Sequence, residues 1–167
     1  MIVEQIMKRP VKACSSHDLL HTAAKIMWDF DCGCVPVVDG GKVVGMLTDR
    51  DICMAAYLQG GPLTAMAVST AMSRELFVCR PTDPVATAEA VMQEHHVRRL
   101  PVVDDESRLV GMLSLSDLAV ESARERRGKS KRDVSADEVV RTLGSVCEPR
   151  RSTTRANAGD DSETAWV

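Results

Sequence analysis

The sequence predicts an α+β fold: two β-α-β-β-α repeats packed about a pseudo-two-fold axis, then a partly helical or disordered C-terminal tail. Three observations carry this expectation. Met7, Ala23, Met27 and Pro36 match Met72, Ala88, Met92 and Pro101, all 65 residues apart. Each copy holds an apolar stripe at helical spacing, and each follows it with two β-branched runs separated by turn residues. Self-similarity on this scale marks a duplicated supersecondary unit.

Within each copy a short lead-in, VEQIM or VSTAM, precedes a brief extended stretch, VKAC or LFVC. A helix is expected next, over Asp18 to Phe30 and Asp83 to His95. Asp83 followed by Pro84 suits an N-cap and first turn. Leu20, Ala23 and Met27, like Val85, Ala88 and Met92, form its buried stripe. VPVVD and KVVGML then read as a hairpin closed by Asp-Gly-Gly, whereas the second copy places Asp-Asp-Glu-Ser there. A second helix starts at Thr48 or Ser114.

A unit of about 60 residues hides only about 60% of its unfolded surface, so each repeat needs the other. The runs VPVV and LPVV are apolar on both faces and expect cover on both sides. The expected divisions are residues 2–60, 66–121 and a tail over 122–167, with Gly60-Gly61-Pro62 linking the repeats. In the tail, RERRGKSKR (124–132) reads as a charged linker, and Ser135-x-x-Glu138 as a capping box. That box opens a short helix through Leu143, which Gly144 should end; disorder is expected from Glu148.

A net charge of −3 gives no electrostatic case for nucleic acid, and the basic run lacks interleaved aromatics. No apolar stretch reaches the roughly 20 residues of a membrane span, and the N-terminus has no signal-peptide core. A cytoplasmic location is expected. Six cysteines fit neither a disulfide framework nor paired zinc-binding spacing. Cys32-x-Cys34, with Cys14, His17 and His21 in the same copy, leaves a metal or thiol reading open, but buried thiols are favoured. No catalytic residues are expected, because no nucleophile stands with its base and no carboxylate pair has a cleft to serve.

The functional signal is a duplicated strand-to-helix corner, GMLTDRDI (45–52) and GMLSLSDL (111–118). Where strand passes into helix, the first backbone N–H groups lack helical partners and favour an anion such as phosphate. Thr48 and Ser114 sit at that point, and Asp51 or Asp117, one turn in, offers two acceptor oxygens that suit a ribose diol. The same pairs also read as N-caps with an acid at the third position, which need no ligand.

The repeats, the x-P-V-V-D strands and the G-x-x-[TS]-x-x-D corners together resemble a tandem CBS-domain pair, the Bateman module, over about residues 2–121. The resemblance implies two adenosine-binding clefts between the repeats, for AMP, ADP, ATP or S-adenosylmethionine as regulatory ligand rather than cofactor. By that resemblance Asp51 and Asp117 hold ribose, and Thr48 and Ser114 sit by phosphate. Asp49 and Arg50, and Leu115 and Ser116, are their companions. Met7 and Lys12 in the first copy, and Met72 with Phe77, Val78 and Cys79 in the second, would frame adenine. The resemblance also implies a basic residue before the second PVVD strand. Arg98 and Arg99 stand there, whereas the first copy has Gly33 and Cys34, so one cleft should bind phosphate better. A homodimer and an unknown regulated protein are the implied partners. A scaffold with vestigial clefts, or a thiol or metal sensor, are the alternatives.

Overall fold

The computed structural model describes residues 1–127 and 134–148. The expected tail disorder and most of the charged linker lie outside those residues, although Arg124 to Arg127 belong to a helix. Each half contains a helix, an antiparallel hairpin and a second helix. In the first these are α1 (Leu20–Asp29), β1 (Cys34–Asp39), β2 (Lys42–Thr48) and α2 (Asp49–Gln59). In the second they are α3 (Val85–His95), β3 (Arg99–Val103), β4 (Leu109–Ser114) and α4 (Leu115–Arg127).

Gly40 and Gly41 both adopt left-handed φ, 57° and 82°, which closes the first hairpin in two residues. In the second hairpin the Asp104 carboxylate accepts the N–H groups of Glu106 and Arg108 and organises a longer loop. The expected leading strands shrink to single parallel bridges, Cys14 to Val37 and Cys79 to Val102. Past Cys14 the chain turns, with Ser15 Oγ and Ser16 N–H both donating to Asp39 Oδ1. Asp83 does not cap α3 as its spacing predicts. Its carboxylate accepts the Arg80 N–H at 2.7 Å, and Pro84 holds the N-cap position.

The opposite sheet edges are closed by exchange between the halves. Lys8 bridges Met112 of β4, while its counterpart Ser73 bridges Met46 of β2. Val3 and Met7 accordingly join the second half's core with Leu100, Leu113 and Leu118. Met66 and Val68 join the first half's core with Leu20, Leu47 and Ile52. Two residues permit the approach. A Cβ on Gly45 would lie 2.6 Å from the Ser73 carbonyl oxygen and 3.1 Å from Met72 Sδ, and Gly111 is similarly pressed by Met7.

Helix α5 (Ala136–Cys147) opens with the expected capping box, Ser135 and Glu138 exchanging hydrogen bonds at 3.1 Å. It does not end at Gly144. That glycine faces open space, and the helix continues so that Val146 is buried. A helical glycine costs only about 1 kcal/mol, which such burial offsets. α5 lies along α3: Gln93 donates to Thr142 Oγ1, and His96 Nδ1 meets the Ser145 carbonyl oxygen at 2.6 Å. Beneath it Glu89 is buried with Oε1 lacking a hydrogen-bond partner. Burial, with Glu138 nearby, pushes its carboxyl up to about 7.

Two stability predictions follow from this packing. Gly45→Ala should displace the exchanged lead-in and cost about 1–3 kcal/mol in urea unfolding; an unchanged midpoint would contradict that close approach. Glu89 is protonated in both states below its unfolded range, and its penalty accumulates as pH rises towards about 7. Glu89→Gln should therefore raise the melting temperature at pH 8 by several degrees and leave it little changed near pH 4.5. Equal shifts at both pH values would contradict the buried, unpaired carboxyl.

Candidate functional site

Both corners fold as the duplicated sequence requires, and both fold as reciprocal caps. In the first, Thr48 Oγ1 accepts the Asp51 N–H at 3.1 Å, while Asp51 Oδ2 accepts the Thr48 N–H at 2.9 Å and the Thr48 hydroxyl at 2.7 Å. In the second, Ser114 Oγ accepts the Asp117 N–H at 3.3 Å, while Asp117 Oδ2 accepts the Ser114 N–H at 2.9 Å and the hydroxyl at 2.5 Å. One carboxylate oxygen in each corner is thus committed to the cap. The expectation that both oxygens face a ribose is corrected: Oδ1 is the one outside the cap, and its two lone pairs can still accept two hydroxyls.

The helix N-termini differ more than their sequences suggest. In α2 the Asp49 N–H donates to the Gly33 carbonyl oxygen at 3.1 Å, and the Arg50 N–H donates to Asp49 Oδ1 at 2.7 Å. With Asp51 capped by Thr48, the first three donors are all used, which corrects the expectation of free donors there. In α4 the Leu115 N–H donates to the Arg98 carbonyl oxygen at 2.9 Å, in symmetry with Asp49 and Gly33. The Ser116 N–H has no hydrogen bond among the described residues. Asp49 also sets a carboxylate at the first corner where the second has Leu115. The second corner therefore has the better electrostatics for an anion.

The exchanged lead-ins decide what adjoins each corner. Met7 lies against Gly111 on the second corner's strand, and Met72 against Gly45 on the first's. Lys8 brings its ammonium 3.7 Å from Asp117 Oδ1, on a residue only 8% exposed. Lys8 carries no motif of its own; a crossing of the halves is needed to bring it to Asp117, and repeat spacing does not disclose the crossing.

The remaining expected residues are more dispersed. Arg99 lies by Cys34, its counterpart in the first half, and by Gly33. Arg98 reaches away to Cys147 Sγ at 3.9 Å on α5. Lys12 lies over the Phe30 ring, 4.8 Å from its centroid, and Phe77 stacks on His95 at 3.8 Å. These two contacts are related by the repeat, Lys12 matching Phe77 and Phe30 matching His95. Val78 is exposed, whereas the Cys79 side chain lies in the core and burial raises its thiol to about 12. Burial likewise raises Cys14 to about 11 and Cys34 above its ordinary value, so these thiols behave as apolar filling. Among the described residues no group of three or more His, Cys, Asp or Glu side chains could hold a metal ion. No described helix is long and apolar enough to cross a membrane.

Comparison with known proteins matches this architecture. The CBS domain model fits residues 3–57 and again 68–124. The CBS domain-containing protein YhcV of Bacillus subtilis is 37% identical over 134 residues, covering 80% of this chain and 94% of its own. The crystal structure of the CBS domain pair of protein MJ0100, in complex with 5′-methylthioadenosine and S-adenosyl-L-methionine, superposes with a TM-score of 0.68 at 26% identity. It covers 75% of this chain and 98% of that one. Hypoxic Response Protein I, solved with two coordinated zinc ions, gives a TM-score of 0.64 at 30% identity, over 72% and 98% of the two chains. With two matched repeats and two symmetric corners, the chain belongs to the CBS-domain family, as a tandem CBS pair.

Proposed function

We propose that the protein is a non-catalytic regulatory module that binds an adenosine ligand between its repeats and passes that state to a partner. AMP, ADP, ATP and S-adenosylmethionine are the candidate ligands. The observation that carries the reading is the second corner: a nearly buried Asp117, with Lys8 beside Oδ1 and the open Ser116 N–H one residue away. Asp117 Oδ1 would accept ribose hydroxyls. The Ser116 N–H and Lys8 would meet phosphate, with Ser114 keeping the acid aligned. The complex of MJ0100 with adenosine compounds supports the ligand class.

The two clefts are unequal in this reading. Asp49 and the fully used donors of α2 make the first corner a poor phosphate site, so a phosphorylated ligand prefers the second. Arg98 and Arg99 are within the same turn and would add to phosphate binding, Arg98 by leaving Cys147 and Arg99 by turning from Cys34. A homodimer would use exposed apolar side chains of α4 and α5, Val120, Val140 and Leu143. Ligand acts by binding one arrangement of the halves more tightly than another.

Calorimetry and thermal shift with AMP, ADP, ATP, S-adenosylmethionine and NADH test the proposal. At least one adenosine ligand should raise the melting temperature. Asp117→Asn should weaken its binding by about tenfold or more, and Asp51→Asn by much less. No shift with any of them would instead favour a scaffold with empty clefts. Replacing Arg98 and Arg99 together by Ala should reduce ATP affinity more than S-adenosylmethionine affinity; an equal reduction would remove the arginines from phosphate binding.

A further inference from the structure

Helix α5 ends against the turn that leads into the second corner. It runs parallel to α3, with Thr142, Ser145 and Cys147 meeting Gln93, His96 and Arg98 in order. A carbonyl oxygen only accepts, so His96 Nδ1 carries a proton and donates to Ser145 at 2.6 Å. His96 adopts a left-handed backbone, φ 51°, and the chain then reaches Arg98. The Arg98 carbonyl oxygen accepts the Leu115 N–H at 2.9 Å, so the root of its side chain is fixed beside the first residues of α4. Its guanidinium is directed elsewhere, to Cys147 Sγ. Arg98 thus joins the end of α5 to the start of α4.

Arg98 is the looser of the two ties at that end. A neutral thiol 3.9 Å from an exposed guanidinium is a weak acceptor, and a phosphate oxygen is a much stronger one. Withdrawing Arg98 also takes a cation from the carbonyl end of α5, where positive charge is favoured. Farther along the interface Glu89 is buried under α5, facing Glu138 and Arg141. Its Oε1 has no hydrogen-bond partner among the described residues, and a carboxyl so placed disfavours the seated helix. Burial of Thr142 and Val146 keeps the last turn down. The counterparts of His96 and Arg98 in the first half are Asp31 and Gly33, which carry no cation for such a link.

We propose that the last turn of α5 and the phosphate of a ligand at the second corner compete for Arg98. Binding of AMP, ADP or ATP draws the guanidinium to phosphate and lifts residues 142–148 from α3. S-adenosylmethionine, which has no phosphate, leaves them seated. The inference rests on the adenosine reading of the second corner and adds an output to it, because the ligand's charge is reported at the C-terminal helix. Linkage makes the effect reciprocal, so loosening the turn tightens phosphorylated ligands by the same factor. Cys147 and Glu89 thereby bias the choice between phosphate-bearing and phosphate-free ligands from outside the cleft.

Hydrogen–deuterium exchange of the full chain at pH 8, where Glu89 is ionised, follows both ends at once by mass spectrometry. Saturating AMP, ADP or ATP should protect residues 111–118 and speed exchange over 142–148 by about threefold or more. S-adenosylmethionine should not speed it, and Arg98→Ala should abolish the acceleration. By calorimetry Cys147→Ala should raise ATP affinity about threefold and leave S-adenosylmethionine affinity unchanged. Glu89→Gln, which steadies the seat, should lower ATP affinity; melting curves check the fold of each variant. Corner protection with no change over 142–148, or equal acceleration by S-adenosylmethionine, overturns the inference while the adenosine reading stands. Unchanged ATP affinity in Cys147→Ala, or an equal change for both ligands, overturns it as well. Protection of neither segment by any of these ligands removes the adenosine reading, and the inference with it.

Discussion

The exchange of lead-ins holds the molecule together. Each hairpin leaves β2 or β4 with an unpaired edge, and in each case the segment preceding the other repeat covers it. The exchange is repeated in the backbone bonds that flank it. The Leu20 N–H donates to the Met66 carbonyl, and in the other half the Val3 N–H donates to the Asp83 carbonyl. Neither half can therefore complete its core or satisfy its edge without the other. A duplicated unit too small to stand alone becomes one cooperative body by lending its ends.

The same exchange sets the chemistry of the corners. A reciprocal cap fixes each acid, so the Thr/Ser–Asp spacing serves folding whether or not a ligand arrives. What separates a cap from a binding site is what lies around it. At the second corner the crossing lead-in brings Lys8 to the carboxylate and Leu115 leaves the neighbouring donor unclaimed. At the first, Asp49 turns back on its own helix and satisfies the Arg50 N–H. Two copies of one motif have thus diverged in local electrostatics while keeping a common backbone.

Much of this was legible in the sequence because repetition exposes it. The repeat, 65 residues up to the first hairpin strand and 66 at the corners, located both helices, both hairpins and both corners, and Ser135-x-x-Glu138 located the start of α5. Helix ends were less legible. Asp83 looks like a cap but bonds backwards to Arg80, and Gly144 looks like a stop but lies in the helix interior, where Val146 is drawn into the core. The corner residues were readable by type, whereas the state of their donors was not. Whether the Ser116 N–H is open, or Asp51 has an oxygen to spare, depends on hydrogen bonds that alternative rotamers of the same side chains could exchange. Lys8 and the seating of α5 depend on chain crossings that no local pattern reports.

An adenosine ligand at the second corner can be observed most directly through the backbone amides, by titrating ¹⁵N-labelled protein with AMP and following each resonance. The Ser116 amide should shift most, with Ser114 and Asp117 moving beside it, while Arg50 and Asp51 stay nearly still. Resonances that do not move at all, or first-corner amides that move as far as Ser116, would contradict it.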